Sequence, residues 1–280
     1  MNKYFYVLVT LSIASAAYFK FSSEQGADLR IYALDCGDIT MDMSGFSRNG
    51  EFAGESGDLA NPCFLIRHPK GDLLWDTGFE ESLVDIPEGV SIPGFQKTMQ
   101  KRLSSQLSEL GVALSDVEYV ALSHSHPDHA GNANHFAQST FLLEAREYEY
   151  MFSEERRKDI GQFQYFSNVE SFDVFQFDEY HDVFEDGSVE IFAMPGHTPG
   201  HSVLLIDLEN TGPILLSGDL HIQSKGRELR AIPTFNTNAQ DTQVSMERFE
   251  DLARKAGAKI IIQHDKDDIT ALPEFPAFLD

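Results

Sequence analysis

The chain has 280 residues, 42% of them hydrophobic and 24% charged, with a formal net charge of -24 at pH 7. That length and balance suit one large domain with a packed core. A surface this acidic repels phosphate backbones, which argues against a nuclease or a nucleic-acid-binding protein; the acidity reads as a solubility device.

The N-terminus, MNKYFYVLVTLSIASAAYFK, has one early cation, Lys3, and then an uncharged apolar run from Tyr4 to Ala14. Small residues at Ala14, Ser15, Ala16 and Ala17 follow. This predicts a secretory signal peptide over residues 1–17, a mature domain over 18–280, and a bacterial protein exported to the periplasm or beyond. The alternative is an uncleaved anchor, for which the run is slightly short of the roughly 20 residues a span needs. Only an uncleaved leader would make the membrane a stable partner. The two cysteines, Cys36 and Cys63, could pair in an oxidising compartment or pack as free thiols in buried strands. Neither has the spacing of a metal ligand.

After the leader, residues 29–37 read as a strand and the Gly-, Ser- and Asp-rich stretch 38–61 as a loop. Residues 63–78 read as two strands around a Pro-Lys-Gly turn, and 79–94 as irregular. Met99, Leu103, Leu107 and Leu110 have helical spacing and predict a helix over 96–111, stopped by Gly111. A strand over 117–123 runs into the segment SHSHPDHAGN. Residues 140–152 read as a strand then a helix, and 189–196 and 201–219 as three strands. Val244, Phe249, Leu252 and Ala253 predict an amphipathic helix over 242–257, and 258–265 a closing strand. The aromatic stretch 162–184 fits no periodic pattern; it reads as core or dimer packing, or as an apolar wall for an acyl chain together with Met41, Met43 and Phe46. Strands precede helices in both halves, which predicts an α+β fold: an αββα sandwich of two mixed sheets with helices on the outer faces.

The chemistry concentrates at strand ends. His124 and His126 are two apart on extended backbone and can point the same way. Pro127 bends the chain, so Asp128 and His129 can face a second point. His197, Asp219 and His264 each follow another apolar run. Imidazole and carboxylate groups converging from four strand tips suit zinc, and also iron, manganese or cobalt. His201 reads as a hydrogen-bonding support of the PGHTPGH turn; His68, His135 and His181 read as loop or surface residues.

The series His124-x-His126-x-Asp128-His129, then His197, Asp219 and His264, resembles the metallo-β-lactamase superfamily over essentially the whole mature chain. DTG at Asp76 to Gly78 resembles the structural aspartate turn of that fold. The order LDCG, HPKGDLLWDTG, HSHPDHAGNA, PGHTPGH, SGDLH and QHD is most similar to the N-acyl homoserine lactonase-type hydrolases. The resemblance implies two divalent metal ions, zinc foremost. His124, His126 and His197 would hold one, Asp128, His129 and His264 the other, and Asp219 would bridge them. It further implies ring opening of acyl homoserine lactones by a metal-bridging hydroxide, with Asp219 or Asp128 carrying the proton to the leaving alkoxide. Asp219 argues against β-lactam hydrolysis, since β-lactamases of this fold generally lack that aspartate. Thioesterases of the glyoxalase II type share the ligand set, so a thioesterase or general carboxylesterase is the alternative; the basic residues they use near the C-terminus are not evident. The implied partner is a small acyl lactone or ester, and a homodimer is compatible. The lactonases place a tyrosine three residues after the bridging aspartate. Here Ile222 stands in its place, and His221 is the candidate replacement donor.

Overall fold

The computed structural model describes residues 29–280, so the leader predicted over 1–17 lies outside the described residues. The strands are β1 (Arg30–Asp42), β2 (Ser56–His68), β3 (Gly71–Trp75), β4 (Val90–Ile92), β5 (Phe95–Thr98), β6 (Tyr119–Ala121), β7 (Thr140–Glu144), β8 (Asp173–Phe177), β9 (Tyr180–Asp182), β10 (Val189–Ala193), β11 (Ser202–Leu208), β12 (Gly212–Leu216) and β13 (Lys259–Ile261). The α-helices are α1 (Leu103–Glu109), α2 (Pro127–Ala130), α3 (Ala145–Met151), α4 (Glu154–Lys158), α5 (Ile160–Phe163), α6 (Ser224–Leu229), α7 (Ala239–Ala256) and α8 (Lys266–Thr270).

Two mixed sheets form, ordered β4-β5-β1-β2-β3-β6-β7-β8 and β13-β12-β11-β10-β9. Alternation along the strands sorts side chains into layers. Phe64, Ile66, Leu73 and Trp75 from the first sheet meet Ile191, Leu204, Ile206 and Leu216 from the second, making the central core. The intervening residues Leu65, Leu74 and Val120 face outward onto Leu103 and Leu107 of α1. Val203, Leu205 and Leu215 face outward onto Met246, Phe249 and Ala253 of α7. Helix, sheet, sheet and helix therefore stack as an αββα sandwich. Among the described residues no helix is long and apolar enough to cross a membrane.

Several elements differ from the sequence expectation. The stretch 38–61 is not one loop: β1 runs on to Asp42 and β2 begins at Ser56, paired Asp42 to Ser56. These strand ends are half exposed and interrupted by a register shift between Asp35 and Asp38, so they read as polar turn sequence. Residues Phe95–Thr98 are strand β5, and only Leu103–Glu109 of the expected helix is helical. Helix α7 starts earlier than expected, where the Asn238 side chain accepts from the N–H groups of Gln240 and Asp241. Its buried side includes Met246, Phe249 and Ala253, whereas Val244 is 50% exposed. The aromatic stretch resolves into α5, β8 and β9; Phe163 and Phe166 pack edge-on against each other and against Phe152. Cys36 and Cys63 form a disulfide between β1 and β2. Gly78 (φ +66°) lies against it: a Cβ there would stand 2.3 Å from Cys36 Cβ, which excludes any other residue.

Candidate metal centre

The strand tips converge as expected. His124 and His126 follow β6, Asp128 and His129 lie on α2, His197 follows β10, Asp219 follows β12 and His264 follows β13. Two groups of ligand-type atoms form, His124, His126, His197 and Asp219 in one, and Asp128, His129 and His264 in the other, each gathered within 4.8 Å.

In the first group, His124 Nε2, His126 Nδ1 and His197 Nε2 make a triangle with sides of 2.9, 3.0 and 3.1 Å. In the second, His129 Nε2 and His264 Nε2 lie 3.2 Å apart. Asp219 stands between the groups. Its Oδ2 is 3.2 Å from His197 Nε2 and 3.7 Å from His124 Nε2. Its Oδ1 is 3.1 Å from His129 Nε2 and 3.0 Å from His264 Nε2. Asp128 Oδ2 is 3.6 and 3.7 Å from the same two nitrogens.

The rings are aimed by what their far nitrogens touch. His129 Nδ1 meets Asp76 Oδ2 at 2.9 Å, His264 Nδ1 meets the Ala60 carbonyl at 2.6 Å, and His197 Nδ1 meets Asn236 Oδ1 at 3.0 Å. Each of these partners is an acceptor. In the neutral ring it fixes the proton on Nδ1 and leaves Nε2 with a lone pair facing inward. Asp76, in the left-handed region at φ 60°, also accepts from Ser123 N, Ser123 Oγ and Gln263 Nε2. His201 is not among the converging ligands; its Nε2 accepts from the Asp219 backbone N–H at 2.8 Å, and its Nδ1 donates to the Met194 carbonyl. It holds the turn, as its place in the sequence suggested.

Electrostatics divides the two groups. Burial, reinforced by neighbouring imidazoles, lowers His126 to about 3 and takes His124 well below its usual range. Burial would also lower His129 and His264, but Asp219 and the other nearby carboxylates outweigh it and raise both. Burial would raise the Asp219 carboxyl, yet His264, His129, His124 and His197 hold it well below the carboxylate range. The centre thus keeps an ionised carboxylate among inward-facing imidazoles and draws positive charge.

A cavity of about 470 Å³ opens over the centre. His126, Asp128, His197, Asp219 and His264 form its floor, and Ile39, Met41, Phe46, Leu59, Phe79, Phe95, Ile222 and Phe235 its apolar walls. Met41 and Phe46 therefore lie where an acyl wall was expected. Met43 does not, and of the segment 162–184 only Gln162 reaches the cavity; its aromatic rings are engaged elsewhere in the fold.

His221 needs correction as a catalytic candidate. Its ring lies in a separate small cavity with Met43, Phe52, Leu220 and Pro233, edge-on to Phe249. Both ring nitrogens are buried without a hydrogen-bond partner. After the turn at Asp219, the chain sends Ile222 toward the centre and His221 away from it, so the donor expected there is absent.

Sequence reasoning missed Glu147, Asn236 and Gln263. Glu147 Oε1 accepts from Ser125 N and Oγ, and its Oε2 from Thr198 Oγ1 and Gly200 N. Gln263 had one cue, its place beside His264; Glu147 and Asn236 had none in the local pattern.

The chain matches the metallo-beta-lactamase superfamily over residues 56–264. It is 30% identical over 270 residues to the N-acyl homoserine lactonase AttM of Azorhizobium caulinodans, covering 90% of this chain and 99% of the relative. It is 28% identical over 262 residues to an N-acyl homoserine lactonase of a Bacillus species, covering 89% and 98%. In fold it is similar to an N-acyl homoserine lactone hydrolase solved with N-hexanoyl-L-homoserine at its catalytic metal center, with a TM-score of 0.76 and 23% identity over 89% of this chain and 98% of that one. The family match spans every residue of the converging centre, and the protein belongs to the metallo-beta-lactamase superfamily.

Proposed function

We propose that the protein is a binuclear metallohydrolase that opens the ring of N-acyl homoserine lactones. The observation that carries the metal centre is the division of Asp219, one carboxylate oxygen toward each group. Oδ1 lies 3.1 and 3.0 Å from two imidazole nitrogens, and toward it each neutral ring turns a lone pair rather than a donor. Three inward nitrogens about 3 Å apart likewise cannot satisfy one another. Tetrahedral zinc with Zn–N of about 2.0–2.1 Å sets nitrogens roughly 3.3 Å apart, close to this triangle. The residues therefore fit two cations sharing Asp219, with His124, His126 and His197 at one and Asp128, His129 and His264 at the other. Zinc is the first choice, and the donor set also accepts iron, manganese or cobalt.

Cations bound there would supply Lewis acidity to an ester carbonyl and generate a nucleophile from water near neutral pH. The chain's own residues do the rest. Asp219 is buried and faces both groups, which suits a fixed bridging anion rather than a proton carrier. Asp128 lines the cavity with a side chain 21% exposed, so it is the carboxylate placed to take the proton of the attacking water and return it to the leaving alkoxide. His201 and Asp76 hold the turn and the ring that this geometry needs. The apolar walls accept an acyl chain and exclude water from it.

The relatives named N-acyl homoserine lactonase support the lactone reading. The leader pattern and the Cys36–Cys63 disulfide support work in an oxidising, exported setting. A panel of acyl lactones, thioesters, β-lactams and phosphodiesters at matched chain length, against the metal-loaded protein, tests the reaction. Lactones turned over with the highest kcat/KM support the proposal; a preference for thioesters moves the protein to a thioesterase of the same fold.

A further inference from the structure

One wall of the cavity is a single face of the first sheet. Ile39 and Met41 of β1 point the same way, two residues apart. Leu59 of β2 and Lys97 of β5 both stand opposite Ile39 in the register, and Phe95 stands opposite Met41. All five line the cavity, and four of them are apolar. Lys97 alone brings a charge into this row.

The Lys97 ammonium sits 4.9 Å from the centre of the Phe79 ring. It makes no ion pair or hydrogen bond among the described residues. Burial lowers its pKa, against the opposing pull of Asp128 and Glu80. The other cation of the cavity is already engaged: Arg156 donates Nη1 to Gln162 Oε1 and Nη2 to the Ser125 carbonyl. Arg156 Nε has no partner either but is fully buried, so Lys97 is the cavity cation whose head group is left without an ion pair or hydrogen bond among the described residues, in the wall that takes the acyl chain.

We propose that Lys97 is a specificity-determining residue, whose ammonium donates to an oxygen on the acyl chain, so that the enzyme prefers lactones with a carbonyl or hydroxyl oxygen in the chain over those with plain methylenes. The inference rests on the lactonase reading. Its physical basis is desolvation. A plain chain laid across the wall strips water from the ammonium and returns no hydrogen bond. A chain oxygen restores the bond, and the plain chain is then disfavoured because it leaves a charged donor unpaired. Lys97 is only half buried, so the preference falls at the low end for such contacts, about tenfold.

The rival account makes Lys97 an inward-pointing charge that keeps the sheet edge near β4 from pairing with another chain. In that case its replacement leaves substrate preference alone. The test compares the wild type, Lys97→Met and Lys97→Arg, all metal-loaded, on pairs of N-acyl lactones of equal chain length with and without a chain oxygen. The same ratio is measured as the Kd of the paired ring-opened acyl homoserines by calorimetry. The proposal expects a preference of about tenfold in the wild type, close to none in Lys97→Met, and most of it kept in Lys97→Arg. An unchanged ratio in Lys97→Met overturns it. So does an equal fall for both members of a pair, which would mean that Lys97 acts through Asp128 instead. A wild type that opens neither lactone refutes the lactonase reading, while the Kd ratio still decides the role of Lys97.

Discussion

Glu147 holds Ser125 by both its backbone N–H and its hydroxyl, at 2.8 and 2.6 Å, on one carboxylate oxygen. Its other oxygen holds Thr198 and Gly200. Ser125 lies between His124 and His126, and Thr198 follows His197. One buried carboxylate therefore ties together the two loops that supply the first group of ligand-type atoms. The fit is close: a Cβ on Gly200 would lie 2.2 Å from Glu147 N.

Glu147→Gln keeps the shape but sets an amide N–H₂ against N–H and O–H donors. The second group is braced separately, through Asp76, Gln263 and the Ala60 carbonyl. The expected outcome is selective: affinity for one metal equivalent falls about 10- to 100-fold while the other is kept. Titration against a competing chelator measures it. Equal loss of both equivalents, or loss of neither, would contradict the brace.

His221 is the residue whose sequence-based role changes most. Burial holds its pKa down to about 4, from an ordinary value of 6.5. The unfolded chain therefore takes up this proton first as pH falls. The stability that depends on neutral His221 is complete above pH 6.5 and is lost progressively as pH falls toward 4. At roughly 1.4 kcal/mol per pH unit this is on the order of 3 kcal/mol at most. His221→Phe should flatten that part of the pH–stability curve in denaturant melts and leave metal content and lactone rate near wild type. A fall of a hundredfold or more in kcat with metal retained would restore a catalytic role.

The Cys36–Cys63 bond closes a loop between residues 27 apart in sequence. A loop of that size contributes roughly 3 kcal/mol, mainly by restricting the unfolded chain. The paired substitution Cys36→Ser, Cys63→Ser should lower the unfolding free energy by that amount, read as a lower denaturant midpoint at unchanged m. Equal midpoints for the variant and the oxidised wild type would show that the bond adds nothing.

The candidate metal centre was legible because its ligand-type residues sit at the ends of apolar strands, a pattern set by local periodicity. His124, His126, Asp128 and His129 are nearly adjacent, and His197, Asp219 and His264 each mark another strand tip. The two-sheet sandwich followed from the same strand pattern. Less legible were parts decided by tertiary contact. The ends of β1 and β2 are half exposed and polar, so they resembled a loop. Phe163 and Phe166 read as core or dimer packing or as an acyl wall, and only packing against Phe152 separates these readings. Glu147 and Asn236 lie far in sequence from the groups they hold. The turn after Asp219 decides whether residue 221 or 222 faces the cavity, and no composition rule reports that direction.

The central claim is that two cations share Asp219, and metal analysis of Asp219→Asn beside the wild type tests it most directly. The account predicts two equivalents per chain in the wild type, a loss of at least one in the variant, and a collapse of lactone opening with it. A single equivalent in the wild type, or a variant that keeps both equivalents and the full rate, would contradict it.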